Sequence, residues 1–331
     1  MKNREIRLAS RPAAMPTLEN FEFADVDVPQ PADGEVLVRL LYLSVDPYLR
    51  GRMRPGKSYV APFEVGQAIV SGAVGEVVES RSPRFNAGDV VSGMFAWRLY
   101  DVAKAEGLMK VLPGVPPTTA LGVLGPTGLT AYFGLLDIGQ PKAGETVVVS
   151  GAAGAVGMTV CQIAKLKGCR VVGIAGSDEK IEYLRNELGV DAAINYKTTE
   201  NMLDALKEAC PEGVDVYFDN VGGATSDAVL FLLNKHARIV ACGAISMYNS
   251  DQPDVGLRVQ PFMIVKSALI KGFIITEYAA RFGEGITQLA AWFTSGQLKH
   301  AETIVEGFEN TPQAFLGLFS GDNLGKQIVK L

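Results

Sequence analysis

The sequence predicts an α/β protein in two parts, a barrel-like all-β region and a doubly wound parallel sheet of six strands joined by helical crossovers. Three observations carry this. Short Val- and Gly-rich segments punctuated by turn residues fill the first third of the chain, β-type and helix-type runs alternate after about Leu121, and a glycine-rich stretch at Gly151–Gly157 joins an apolar strand to a helix. The 331 residues make about two domains at roughly 150 residues each. A composition of 48% hydrophobic and 8% aromatic residues excludes disorder as the main state.

In chain order, residues 1–20 carry Lys2, Arg4, Glu5, Arg7 and Arg11 with no long apolar stretch, so they lack the centre of an export signal. Glu35–Val45 alternates and then runs apolar, and Gln67–Glu79 and Asp89–Met94 add short strands. The run from Val111 to Leu136 is uncharged, but Pro113, Pro116, Pro117 and Pro126 make it a loop and helix start rather than a membrane span. Six strands follow at Thr146–Ser150, Arg170–Ala175, Ala192–Tyr196, Val214–Asn220, Arg238–Cys242 and Leu269–Thr276. The tail from Ala301, with Ile328 and Val329 apolar, is expected to return to the first part. The expected domains are therefore 1–124 with 300–331, and 125–299.

Charge and composition narrow the function. The 31 Lys and Arg against 36 Asp and Glu give a net charge of -5, which argues against nucleic acid as a partner. Cys161, Cys169, Cys210 and Cys242 form no C-x-x-C pair, and the only histidines are His236, read as preceding the fifth strand, and His300, in a loop. No metal is expected, and four unpaired thiols fit a reducing, cytoplasmic setting.

The stretch Glu145-Thr-Val-Val-Val-Ser150-Gly151-Ala-Ala-Gly154-Ala-Val-Gly157 has the context of a dinucleotide fingerprint. Gly151 would make the tight turn, Gly154 would admit a pyrophosphate, and Gly157 would pack against the sheet. After the second strand comes Gly176-Ser177-Asp178-Glu179-Lys180, with no carboxylate closing the strand itself. Ser177 and Lys180 suit a 2'-phosphate, which favours NADP. The competing reading makes Asp178 the ribose-binding acid of an NAD site, although Asp178 and Glu179 equally suit the first turn of a helix capped by Ser177. Tyr196, closing the third strand, would flank the same adenosine end.

Val45-Asp46-Pro47-Tyr48-Leu49-Arg50-Gly51, Gly128-Leu129-Thr130-Ala131-Tyr132, Ala153–Gly157, Asp219-Asn220-Val221-Gly222-Gly223 and Asp322-Asn323-Leu324-Gly325-Lys326 occur together and in order. In these the chain resembles the zinc-independent medium-chain dehydrogenase/reductases, in the branch of the prostaglandin reductases and alkenal/one oxidoreductases. The resemblance spans nearly the whole length. It implies a GroES-like, partly open barrel built from both chain ends, a Rossmann domain between them, NADPH as cofactor, and a homodimer. Carried over by position, it places Gly154, Ala155, Val156 and Gly157 at the pyrophosphate, Lys180 and Tyr196 at the 2'-phosphate, and Asn220 after the fourth strand. It places Cys242, Gly243, Ala244, Ile245, Ser246, Met247 and Tyr248 beside the nicotinamide half, with Phe273, Ile274, Ile275 and Asn323. Met247 departs from the small polar residue of many relatives. At the positions of the zinc ligands of metal-dependent relatives stand Ser44–Asp46 and Val65-Gly66-Gln67, with no cysteine before Cys161.

Without a Lewis acid, alcohol oxidation loses several kcal/mol of transition-state stabilisation. Reduction of a C=C bond conjugated to a carbonyl needs only hydrogen-bond donors at the oxygen. The expected reaction is hydride transfer from nicotinamide C4 to the β-carbon of an enone or enal, followed by protonation of the α-carbon. Tyr248 and Tyr48 are the candidate donors, with a water or the cofactor's ribose hydroxyl as the alternative acid and Tyr59 at the entrance. A quinone oxidoreductase of the zeta-crystallin type, and a non-catalytic NADPH-binding protein, are the alternatives. The late apolar strand at Ala268–Ile275 would serve as a dimer edge or lie buried.

Overall fold

The structure is a computed structural model that describes residues 2–331. Two compact units divide the chain, one of residues 1–122 with Glu302–Leu331 and one of Val123–Ala301.

The first unit opens with a hairpin of β1 (Lys2–Leu8) and β2 (Phe21–Asp27). Then come β3 (Glu35–Ser44), the short helix α1 (Leu49–Arg52), β4 (Val70–Ser80), β5 (Val90–Ala96), β6 (Tyr100–Lys104) and β7 (Met109–Lys110). Strand β3 organises the sheet. Antiparallel β4 runs beside it, β6 pairs with its Glu35–Arg39 part, and the chain's last strand pairs with Tyr42–Ser44. Alternation of buried Val36, Val38 and Leu40 with outward residues turns one face of β3 to the core. That core centres on Trp97, fully buried, whose Nε1 donates to Ser71 Oγ at 2.8 Å and whose ring lies against Phe21 and Phe315.

The second unit begins with α2 (Pro126–Phe133), continued by a π-helical turn at Gly134–Gly139. It then alternates: β8 (Thr146–Ser150), α3 (Ala155–Leu166), β9 (Arg170–Ala175), α4 (Asp178–Asn186), β10 (Ala192–Asn195), α5 (Met202–Ala209), β11 (Val214–Asp219), α6 (Gly223–Leu230), β12 (Leu233–Ala241), α7 (Gln260–Lys266), β13 (Leu269–Gly272) and α8 (Phe282–Thr294). The six strands form one parallel sheet in the order β10-β9-β8-β11-β12-β13. Strand β8, Thr-Val-Val-Val-Ser, is buried along its whole length, as a central strand covered on both faces must be. The chain then returns to the first unit through β14 (Glu302–Glu306), α9 (Thr311–Ser320) and β15 (Lys326–Lys330), with β15 between β14 and β3.

In the parallel sheet two strands differ from the sequence reading by more than one residue at an end. The sixth ends at Gly272 rather than Thr276, and Ile275–Arg281 forms a 3-10 helix. Phe273 leaves the ladder to pack edge-on against Tyr278, and a short apolar run carries no periodicity that distinguishes the two outcomes. The fifth strand starts at Leu233, so His236 lies inside it, exposed, at a left-handed bulge with φ of 64°. Among the described residues no helix is long and apolar enough to cross a membrane.

Candidate active site

In the sheet of the second unit the strand order reverses between β8 and β11. Their carboxyl ends, with those of β9 and β12, therefore border the crevice where open α/β sheets take ligands. The glycines of the first turn each have a distinct geometric task. Gly151 adopts φ of 59°, and a Cβ on Gly157 would stand 2.2 Å from the Gly151 carbonyl oxygen, so α3 can approach β8 only with glycine there. Gly154, the N-cap of α3, brings no side chain to the helix start, and the first turn carries no acidic residue. Half-buried Gly154, Ala155 and Val156 thus present a positive helix end with its N–H groups, and the residues present fit a diphosphate.

Beyond β9, Ser177 caps α4 by accepting the Lys180 backbone N–H at 3.3 Å, and Lys180 follows in the first turn. The Tyr196 ring covers Gly176, where a Cβ would meet it at 2.7 Å. Ser177, Lys180 and Tyr196 are therefore brought to one end of the sheet, and they suit a phosphate ester beside an adenine. Asp178 stands among them, but its carboxylate accepts the Asn195 Nδ2–H at 2.7 Å.

On the other side of β8, Asp219 and Ser150 tie two turns together. Asp219 is 8% exposed. Its Oδ1 accepts from Ser150 Oγ at 3.0 Å, Tyr217 OH at 2.9 Å, Val221 N at 3.0 Å and Gly222 N at 2.9 Å, and Oδ2 accepts from Ser226 Oγ. Ser150 Oγ in turn accepts the Asn220 N–H at 2.9 Å, and its carbonyl accepts Asn220 Nδ2–H at 2.8 Å. Ser150 and Asp219 stand inside motifs read from the sequence, the fingerprint stretch and Asp219–Gly223, but neither was given a role there. Ser150 ends an apolar strand and Asp219 precedes Asn220, but no spacing rule joins two residues so far apart in the chain.

The loop after β12 is anchored on the same framework. Cys242 and Gly243 donate their N–H groups to the Asp219 carbonyl at 2.9 and 3.0 Å, Ile245 donates to Asn220 O, and Ser246 holds Val221 O through both N–H and Oγ. The Tyr248 hydroxyl accepts the Ala244 N–H at 3.3 Å. Burial raises the Tyr248 pKa above that of a free phenol, so the side chain keeps its proton at neutral pH. Phe273, Ile274 and Ile275, half-buried, follow β13.

Three expected residues, Tyr48, Tyr59 and Asn323, belong to the first unit. Tyr48 precedes α1, and burial, then the neighbouring Asp46 carboxylate, pushes its pKa up strongly. Lys326, its side chain 4% exposed, donates Nζ–H to Val45 O at 3.0 Å and Gln327 O at 2.9 Å and pairs with Asp46 at 3.1 Å, which holds the Val45–Tyr48 turn against the last strand. Asn323 is engaged in its own turn, donating to Gly325 O at 2.7 Å. Tyr59 is largely exposed. Among the described residues no three His, Cys, Asp or Glu side chains are grouped to hold a metal ion.

A doubly wound sheet with a glycine fingerprint after its first strand in one unit, and a mixed sheet that takes in the chain's last strand in the other, is the architecture of a dinucleotide-dependent oxidoreductase. Residues 4–111 match the family described as the N-terminal domain of oxidoreductase, and residues 155–292 match the one described as zinc-binding dehydrogenase. The chain is 57% identical to the putative NADP-dependent oxidoreductase YfmJ of Bacillus subtilis, over 99% of this chain and 97% of that one. It is 39% identical to the NADP-dependent 2-alkenal reductase of Nicotiana tabacum, over 99% and 97%. The crystal structure of CurA from Vibrio vulnificus with NADPH superposes with a TM-score of 0.94 at 44% identity, over 99% of this chain and 98% of that one. The chain belongs to the medium-chain dehydrogenase/reductase superfamily, in the zinc-independent branch of the prostaglandin and alkenal reductases. It is an NADPH-dependent enzyme of that reductase type.

Proposed function

We propose that the enzyme reduces the C=C double bond of α,β-unsaturated aldehydes and ketones. NADPH, when bound, supplies the hydride that adds to the β-carbon. The electron pair of the double bond then moves toward the carbonyl oxygen as an enolate, and a proton completes the saturated product at the α-carbon.

The observation that carries this reading is Tyr248. Its hydroxyl is held by the Ala244 N–H in the loop beside Cys242 and Gly243, and burial keeps it protonated. A fixed, neutral phenol donates to an oxygen as charge develops on it and can pass on its proton. Tyr48, also kept protonated by burial, is the second donor candidate. Gly154–Gly157 would receive the pyrophosphate, Ser177, Lys180 and Tyr196 the 2'-phosphate, and Asn220 with Cys242–Ser246, Phe273–Ile275 and Asn323 the nicotinamide half.

Two copies would pair through β13, an edge strand whose Leu269 and Ile270 are exposed, close in sequence to exposed Ile264 and Val265 on α7. The expected working place is the cytoplasm, where free thiols persist.

The test measures NADPH consumption with a medium-chain 2-alkenal, an enone and a quinone in parallel, with products identified by mass spectrometry. Saturated carbonyls are expected, and Tyr248→Phe should lower kcat about a hundredfold with little change in the KM for NADPH. Quinol as the sole product would overturn the reading.

A further inference from the structure

We propose that Asn195 sets the preference of this enzyme for NADPH over NADH by holding the Asp178 carboxylate away from the adenosine ribose. The inference rests on the reading that Ser177, Lys180 and Tyr196 receive the 2'-phosphate.

Strand β9 ends at Ala175, and Gly176 follows, without the carboxylate that would bind the ribose hydroxyls of NADH. The nearest acid is Asp178, the first residue of α4, adjoining the Ser177 cap and two residues before Lys180. An undirected Asp178 would act twice against NADPH. It would accept hydrogen bonds from the two ribose hydroxyls of NADH, and it would repel a phosphate at the 2' position.

Asn195 ends β10, the strand next to β9, and its side chain reaches both sides of the problem. Its Oδ1 accepts the Lys197 backbone N–H at 3.1 Å, and its Nδ2 donates to Asp178 Oδ1 at 2.7 Å. The orientation is not interchangeable. A backbone N–H only donates and a carboxylate only accepts, so the amide has one way to satisfy both, and the N–H end must face Asp178. The next residue, Tyr196, lies over Gly176. Asn195 therefore turns the acid toward the β10 turn, while Asp178 keeps its favourable place at the positive end of α4.

The experiment titrates the full-length protein with adenosine 2',5'-bisphosphate and with 5'-AMP by calorimetry, alongside kcat/KM for NADPH and NADH. Asn195→Ala should weaken the bisphosphate relative to AMP by about fivefold, the scale of one exposed charge interaction, and shift the NADPH/NADH ratio equally. Asn195→Asp, which keeps the acceptor for Lys197 N–H but sets a like charge beside Asp178, should shift it further. In an Asp178→Asn background the Asn195→Ala effect should vanish, because no charge is left to direct. Melting temperatures check that each variant is folded. A ratio unchanged within about twofold in folded Asn195→Ala and Asn195→Asp, or an equal Asn195→Ala effect with and without Asp178, would overturn the inference. Lys180→Ala separates the two claims. If it weakens the bisphosphate and the Asn195 variants do not, only the role of Asn195 falls, and if it changes nothing the 2'-phosphate reading falls with it.

Discussion

Cys161 and Cys242 have thiols pushed up to about 12, and Cys169 and Cys210 to about 11, in each case chiefly by burial. The thiolate is the nucleophile, so at pH 7 a thiol with a pKa of 11 is ionised on the order of one part in 10,000. For an enzyme proposed to turn over enals and enones, which alkylate thiolates, this gives protection from its own substrates. Incubation with excess 2-alkenal and NADPH at neutral pH should leave all four cysteines unmodified in intact-mass measurement, while the denatured chain takes up to four adducts. Labelling of the native protein should accelerate about tenfold per pH unit through the weakly alkaline range, with no plateau, because the thiolate fraction keeps rising below the raised pKa. Rapid labelling at pH 7 would show an accessible, ionised thiol.

At the scale of elements, β8 and β11 act as a pair because one carboxylate serves both their turns. Asp219→Asn would present N–H groups to donors that the carboxylate accepts. It should cost about 1–3 kcal/mol of stability, and it should raise the KM for NADPH more than it lowers kcat, since the Asn220–Gly222 turn, on whose backbone carbonyls the Cys242–Ser246 loop hangs, loses its carboxylate anchor. Thermal melts and initial rates check both, and an unchanged KM would remove Asp219 from the positioning of the site. Much of this framework was legible in the sequence. The bounds of β8 and β9 agree with the sequence reading because β-branched runs ended by glycine leave little choice. Strand β13 was overrun because Phe273–Ile275 is apolar in either conformation. Asp219 and Asn195 escaped because their roles depend on side chains meeting between separate elements, which no local pattern records.

For the whole molecule, the parallel sheet has two unequal edges. Strand β13 exposes Leu269 and Ile270, with Lys271 between Ile270 and Gly272 as the only charge on the strand. Light scattering should give twice the chain mass for the native enzyme, and Ile270→Asp should yield a folded monomer, since a charge on an edge opposes pairing. A native monomer would remove the dimer. The six-stranded parallel sheet followed from the alternation of its elements, but the partners of β3 did not, because they come from opposite ends of the chain. That arrangement bears on the making of the protein. Before the ribosome has added Lys326–Lys330, Val123–Ala301 is a continuous segment that can already assemble its sheet. The chain's opening residues, by contrast, must wait for Lys326–Lys330 before the Tyr42–Ser44 edge of β3 is covered. Until Lys330 has been added that edge is an open strand, so the nascent chain is more exposed to mispairing than the finished enzyme.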